Sequence, residues 1–245
     1  MTDQDLAAKD LESLLTGIRA KRGYLLPHHG LMAITSPRLL EAYDATYTIL
    51  ALDDRVLDHH DREFVWLAIL IATDEAIATH HIPKFRNAGG TDAELDCILA
   101  VTALASGFRA YRFVQAHWRD HLPGHDPRKS YLAALRRQAG DVPLRLVHMA
   151  CAAVHACHAA FDALAWQIEA AYADGIDETE LAEALSLAMF PGSIPHFVEA
   201  ARVWRELIVS GRIQASPRFR AWAELSGQGG YDEVAAGARD RANGD

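Results

Sequence analysis

Apolar residues recur along this chain at helical intervals, and no stretch of strict apolar–polar alternation stands out. Residues 3–19 carry Leu6, Leu14, Leu15 and Ile18 on one stripe, with Asp3 available as a cap and Gly23 as a stop. "SPRLLEAYDATYTILAL" opens with Ser36 at an N-cap position and Pro37 at the first helical position, where its missing N–H costs nothing. "DREFVWLAILIAT" (61–73) is apolar nearly all round, which predicts a buried helix. Further helices are expected over 75–87, 92–120, 128–138, 142–158, 160–174, 178–190 and 194–210, with a Pro-Gly linker at 122–127 and a Gly-rich polar end, "GQGGYDEVAAGARDRANGD". The expected class is all-α.

A shift of 86 residues lays "HIPKFRNAGGTDAELDCILAVTALASG" over "QIEAAYADGIDETELAEALSLAMFPGS". Gly89 meets Gly175, Thr91 meets Asp177, Glu94 meets Glu180, and Leu95 and Leu99 meet Leu181 and Leu185. Glycine after a helix is a stop, and Thr-x-x-Glu or Asp-x-x-Glu is a capping-box start, so these matches have structural reasons. Their recurrence predicts two tandem copies of one helical unit. The expected organisation is an N-terminal helical extension (1–36), a first repeat (37–121), a second repeat (128–210) and a C-terminal tail (211–245).

Composition narrows the classes. With 24 basic and 33 acidic residues among 245, the net charge is −9 and no basic cluster appears, which disfavours nucleic acid and anionic membranes as partners. The N-terminus lacks a signal-peptide pattern, "FVWLAILIA" is too short to span a bilayer, and "VHMACAAVHACHAAFDALAW" carries three histidines and an aspartate. A cytoplasmic protein with no membrane association is expected. Cys97, Cys151 and Cys157 sit among apolar residues and form no CxxC, so inert buried thiols are expected.

The candidate chemistry is histidine chemistry. His80 and His81 precede Pro83 and the Gly89-Gly90 pair; the expected kink at Pro83 aims His81 at the cleft beside the 61–73 helix, with His80 about 100° round the helix and Phe85 as a wall. Asp74, two turns before His81 on the same expected face, is placed to orient its ring. His155, His158 and Asp162 share a face if their helix is continuous, a donor set suited to zinc, iron or manganese, although the repeat register puts a helix junction near 158–160. His117, His121 and His125 read as a solvated face, and His28-His29 as surface loop residues after Pro27. "SGFRAYRFVQAHWRDH" offers Arg109, Arg112 and Arg119 for a carboxylate.

His81, glycine eight residues on, threonine at ten, glutamate at thirteen and an aliphatic at fourteen, with "ASGFRA" and "FPGSIP" as turns after the long helices, resembles the carboxymuconolactone decarboxylase / alkylhydroperoxidase D-like superfamily. The resemblance covers about 37–110 and again 144–205. It implies a helical fold, a homo-oligomer (a trimer of two-repeat chains, or a dimer), and either peroxidase or decarboxylase chemistry. The peroxidase branch needs Cys-x-x-Cys before the histidine; here those positions are Asp74 and Ile77, and Ala160 and Ala163, so thiol peroxidase activity is not expected. What remains is decarboxylation or isomerisation of a small organic acid or lactone without a cofactor. His81, Asp74, Glu63 and His80 are then the acid/base candidates, and Phe85, Arg109 and Trp66 the substrate-binding ones. A non-catalytic binding or assembly module, and a metal enzyme on His155, His158 and Asp162, stay open as alternatives.

Overall fold

The computed structural model describes residues 3–230, with side chains from residue 10 onward. The side chains of Asp3 and Leu6, and residues 231–245 of the expected tail, lie outside the described residues. The described chain is helical, with no strand, and divides into two compact units between Arg55 and Val56.

The first unit holds α1 (Asp3–Arg22), α2 (Pro27–Thr35) and α3 (Pro37–Ala51). Ile18, Ala33 and Leu40 form its core, with Leu11, Leu14, Leu15, Leu25, Met32 and Tyr43 packed around them. Ser36 caps α3, accepting from the Leu39 N–H, as its sequence implies. The stretch at His28-His29 departs from expectation: it is helix, because Pro27 occupies the first turn, and His29 is fully buried. Its Nδ1 accepts from the Leu26 N–H, doing the work of a cap that leucine cannot supply. Burial lowers the His29 pKa to about 4.

The second unit is built around α9 (Leu144–Cys157), whose residues 146–157 are all buried. It packs against α4 (His59–Ala72), α6 (Asp92–Ser106), α8 (Pro127–Ala139), α10 (Phe161–Ala173), α11 (Glu178–Leu187) and α12 (Ile194–Val209). The all-round apolar 61–73 stretch is indeed interior helix: residues 61–70 of α4 are buried. The expected 92–120 helix instead breaks at Gly107 into α6, α7 (Arg109–Phe113), a π-turn (Val114–Trp118) and a 3₁₀ turn (Arg119–His121). By length and composition Asp92–His121 is apolar enough to cross a membrane, but α6 packs on α4 and α9. Not all of 211–245 is tail. Ser216 caps a further helix, α13 (Pro217–Ala223), and Phe219 stacks on Trp204 of α12 at 5.2 Å.

The largest correction falls at 75–87. Only α5, His81–Asn87, is helical there; residues 74–80 are turns entered through Asp74 at φ +55°. Proline explains the placement. Inside a longer helix Pro83 would forfeit the bond from position 83 to the carbonyl of Thr79, whereas in the first turn that donor has no intrahelical partner. "HHIP" therefore opens a helix rather than closing one, and no kink is needed.

The helix order recurs along the second unit. α4 and α9 are both 14 residues long, beginning at His59 and Leu144. Non-glycine residues at positive φ follow each, Asp74 (+55°) and Ala159 (+51°). Gly89 and Gly175 then take left-handed conformations at +98° and +75°, and Thr91 and Asp177 cap α6 and α11 through their side chains.

Candidate active site

Glu63 and His81 meet in the interior. Glu63 lies on the buried first half of α4, His81 at the first position of α5, and each is 2% exposed. Glu63 Oε2 stands 2.6 Å from His81 Nδ1. A carboxylate accepts there from Nδ1–H, which fixes the tautomer and leaves Nε2 as the basic nitrogen. The Trp66 ring lies 4.9 Å from the His81 ring, and its Nε1–H is buried without a hydrogen-bond partner. The His80 ring lies 4.4 Å from the His81 ring, and His80 is half-buried rather than interior. Phe85 is buried and stacks on His60 at 5.6 Å.

The other sequence candidates lie elsewhere. Asp74 is exposed on an open, largely apolar groove of about 430 Å³ with Leu67, Leu70, Ile71 and Ile82, and the turns at 74–80 remove it from any helical face shared with His81. Glu63 holds the nitrogen that Asp74 was expected to orient. Arg109 is exposed and lines a separate cleft with Arg112, His158 and Asp162.

The alternative metal set, His155, His158 and Asp162, is not gathered. α9 ends at Cys157, and Ala159 turns the chain before α10, so the helix is not continuous. His155 is fully buried with Nε2 at 2.7 Å from the Tyr131 hydroxyl, His158 Nε2 lies 2.8 Å from the Ala72 carbonyl, and Asp162 faces Arg112. Among the described residues, the cluster that could hold an ion is Asp58, His60 and Asp61. Arg145 already fills a cation's place there, 2.5 Å from Asp61, and His60 bridges Asp61 (3.1 Å) and Glu94 (3.0 Å). Burial works to lower the His60 pKa, but those two carboxylates outweigh it and raise it.

A second buried pair was missed in the sequence. His148 on α9 and Gln167 on α10 meet with Nδ1 and Nε2 2.6 Å apart, while His148 Nε2 lies 2.7 Å from Asp174. His148 stands 85 residues after Glu63 and Gln167 86 after His81, so at nearly the expected repeat offset a second hydrogen-bonded pair occurs, with the histidine on the opposite member. Matching α4 to α9 at 85 rather than 86 would have exposed it.

The thiols are poor nucleophiles. All three are buried, which pushes Cys97 up to about 11, Cys157 up to about 12 and Cys151 higher still.

Buried histidines also set an acid limit. Burial, with some help from His158, lowers the His155 pKa to about 3; burial lowers that of His148 despite Asp174. Nδ1 of His155 has no partner to receive a proton's charge. An unfolded histidine protonates near 6.5, so the unfolded state binds more protons below that pH and stability falls as pH drops from about 6.5 toward 4. Over that window His155 contributes a slope approaching about 1.4 kcal/mol per pH unit, and His148 acts in the same direction. Urea melts between pH 7 and 4 should show this, and His155→Gln should remove about one proton's worth of slope. An unchanged slope in the variant would refute the assignment.

Comparison with curated proteins and with solved structures gave no match. Residues 37–118, a third of the chain and the part that contains both Glu63 and His81, match the model of the Carboxymuconolactone decarboxylase family. Over that segment the chain is similar to the Carboxymuconolactone decarboxylase family, in line with the resemblance carried by its His81-to-Glu94 spacing.

Proposed function

We propose that the protein is an enzyme acting on a small organic acid or lactone, by decarboxylation or isomerisation, with His81 as the general acid and base. The reading rests on one observation above others: a carboxylate and an imidazole, both withdrawn from water, joined at 2.6 Å. Glu63 holds the ring and offsets the imidazolium charge that forms when Nε2 takes a proton. In an isomerisation, Nε2 removes a proton from the carbon next to a carbonyl, the electron pair passes to the carbonyl oxygen as an enolate, and the proton returns at another carbon. In a decarboxylation, carbon dioxide leaves its electron pair as the enolate, and protonated His81 delivers the proton to carbon. The unpartnered Trp66 Nε1–H is a donor suited to the enolate oxygen. The raised thiol pKa values support excluding thiol peroxidase chemistry from this proposal.

The test is a panel of carboxylated γ-lactones and 3-oxo acids assayed with the wild-type protein and His81→Gln. Turnover by the wild type that the variant loses supports the reading; turnover equal in both refutes it. The near-complete burial of the pair favours one competing reading, a binding module in which Glu63 and His81 are structural. Absence of turnover across the panel, with intact folding, would favour that module.

The proposal includes two tandem repeats within 37–210, cytoplasmic action without nucleic acid or membrane, and a homo-oligomer, trimer or dimer. Support for assembly comes from exposed Ile71 and Ile82, which line one largely apolar groove. Sedimentation at micromolar concentration should give a species of two or three chains; monomer alone would refute it.

A further inference from the structure

The cleft that contains Arg109 belongs to neither member of the buried pair. It has a volume of about 370 Å³ and lies between the end of α6 with α7 on one side and the α9–α10 junction on the other. That volume suits a small ligand. Its walls combine Phe108 and Phe161 with Ser106, Arg109, Arg112, His158 and Asp162.

The charge arrangement is unusual for this chain. The protein carries a net −9, yet the cleft's fixed charges are two guanidinium groups against one carboxylate. Arg109 has no hydrogen-bond or ion-pair partner among the described residues. Arg112 sits three residues on, on the same side of α7, and its Nε lies 3.2 Å from Asp162. Both members of that pair are about two-thirds exposed (68% and 67%), so the contact is weakly held and is displaced at small cost. The neighbouring first turn of α10 adds N–H donors, since its N-cap residue, Ala160, offers no side-chain acceptor. Planar guanidinium groups pair with carboxylates in a two-point fork, and an apolar body beside that fork finds the half-buried Phe161, while Phe108 bounds the cleft from the core, 4% exposed and packed on Tyr131, His155 and Trp166.

We propose that this cleft binds a small aromatic carboxylate, with Arg109 and Arg112 gripping the carboxylate and Phe161 against the ring, over a cleft bounded by Phe108. Asp162 is the internal stand-in that the ligand displaces from Arg112. The site is independent of His81 and stands or falls apart from the catalytic reading.

Benzoate is the probe, titrated calorimetrically into the full-length protein, with acetate as the arm that carries charge without a ring. Saturable 1:1 benzoate binding is expected, weakened about ten-fold or more in Arg109→Ala and strengthened in Asp162→Asn, while His81→Gln binds like the wild type. Arg109 is exposed, so circular dichroism should find its variant folded as the parent. No saturable benzoate binding, or binding that Arg109→Ala leaves unchanged, would overturn the site. Acetate binding as tightly as benzoate would overturn the aromatic assignment, and tighter binding of sulfate than of either would overturn the carboxylate one.

Discussion

His81→Gln should leave the fold intact and reduce turnover by about 10²–10⁴-fold, the span that a general acid–base group supplies. The chain itself argues for the first half of that expectation. Gln167, 86 residues on, is fully buried and 2.6 Å from a ring nitrogen of His148, so a buried glutamine serves a pairing of this type and keeps its hydrogen bond. At position 81 its amide N–H can still donate to Glu63, but it can take no proton at Nε2. Glu63→Leu is the structural counterpart. It strands a buried ring nitrogen and should cost about 1–3 kcal/mol in urea melts. A His81→Gln protein that melts like the parent yet retains full turnover would end the acid/base assignment.

Gly192→Ala should destabilise the protein by about 3 kcal/mol, near the upper end of overpacking costs. A Cβ there would stand 2.8 Å from the Ala188 carbonyl oxygen, 2.8 Å from Cys157 Sγ and 2.9 Å from Cys157 Cα. Two of those three atoms are backbone, and Cys157 ends the central helix, so little can yield. His196 Nδ1, 3.1 Å from the Cys157 carbonyl, ties the same turn to the same helix end. Gly107, its counterpart in "ASGFRA", gives the control. A Cβ there meets only the Ala103 and Leu104 carbonyls of its own helix end, at 3.3 and 3.5 Å, and Gly107→Ala should shift stability by well under 1 kcal/mol. Equal losses in both variants would show that the close approach at 192 is not what sets the cost.

The helical class and most element positions were legible because caps and stops act locally. Ser36, Thr91, Asp177 and Gly175 do in the structure what their residue types imply. The segment before His81 was misread because Ile77, Ala78 and Ile82 extend an apolar pattern at helical spacing, while Ile77 and Ile82 are in fact exposed and Pro83 decides where the helix starts. His29 looked like surface because its burial depends on α1 and α3, which no local pattern reports. Glu63 was named on family grounds, yet its contact with His81 joins two helices, and no pattern within either one reports it. The His148–Gln167 pair escaped because the two halves differ by one residue in spacing, and a fixed offset hides a partner that moves by one.

The reversed pair has a consequence for how such a chain can change. The Glu63–His81 pair joins two residue types with exchangeable acid/base chemistry; in the His148–Gln167 pair one partner is an amide. The contact that locks the two helices together thus persists when one side gives up its proton chemistry. Adhesion and reactivity are separable properties of this position. A chain holding two versions of it can lose or regain a titrating partner in one without loosening the other, and the inert version serves as a standing template for substitutions that fold.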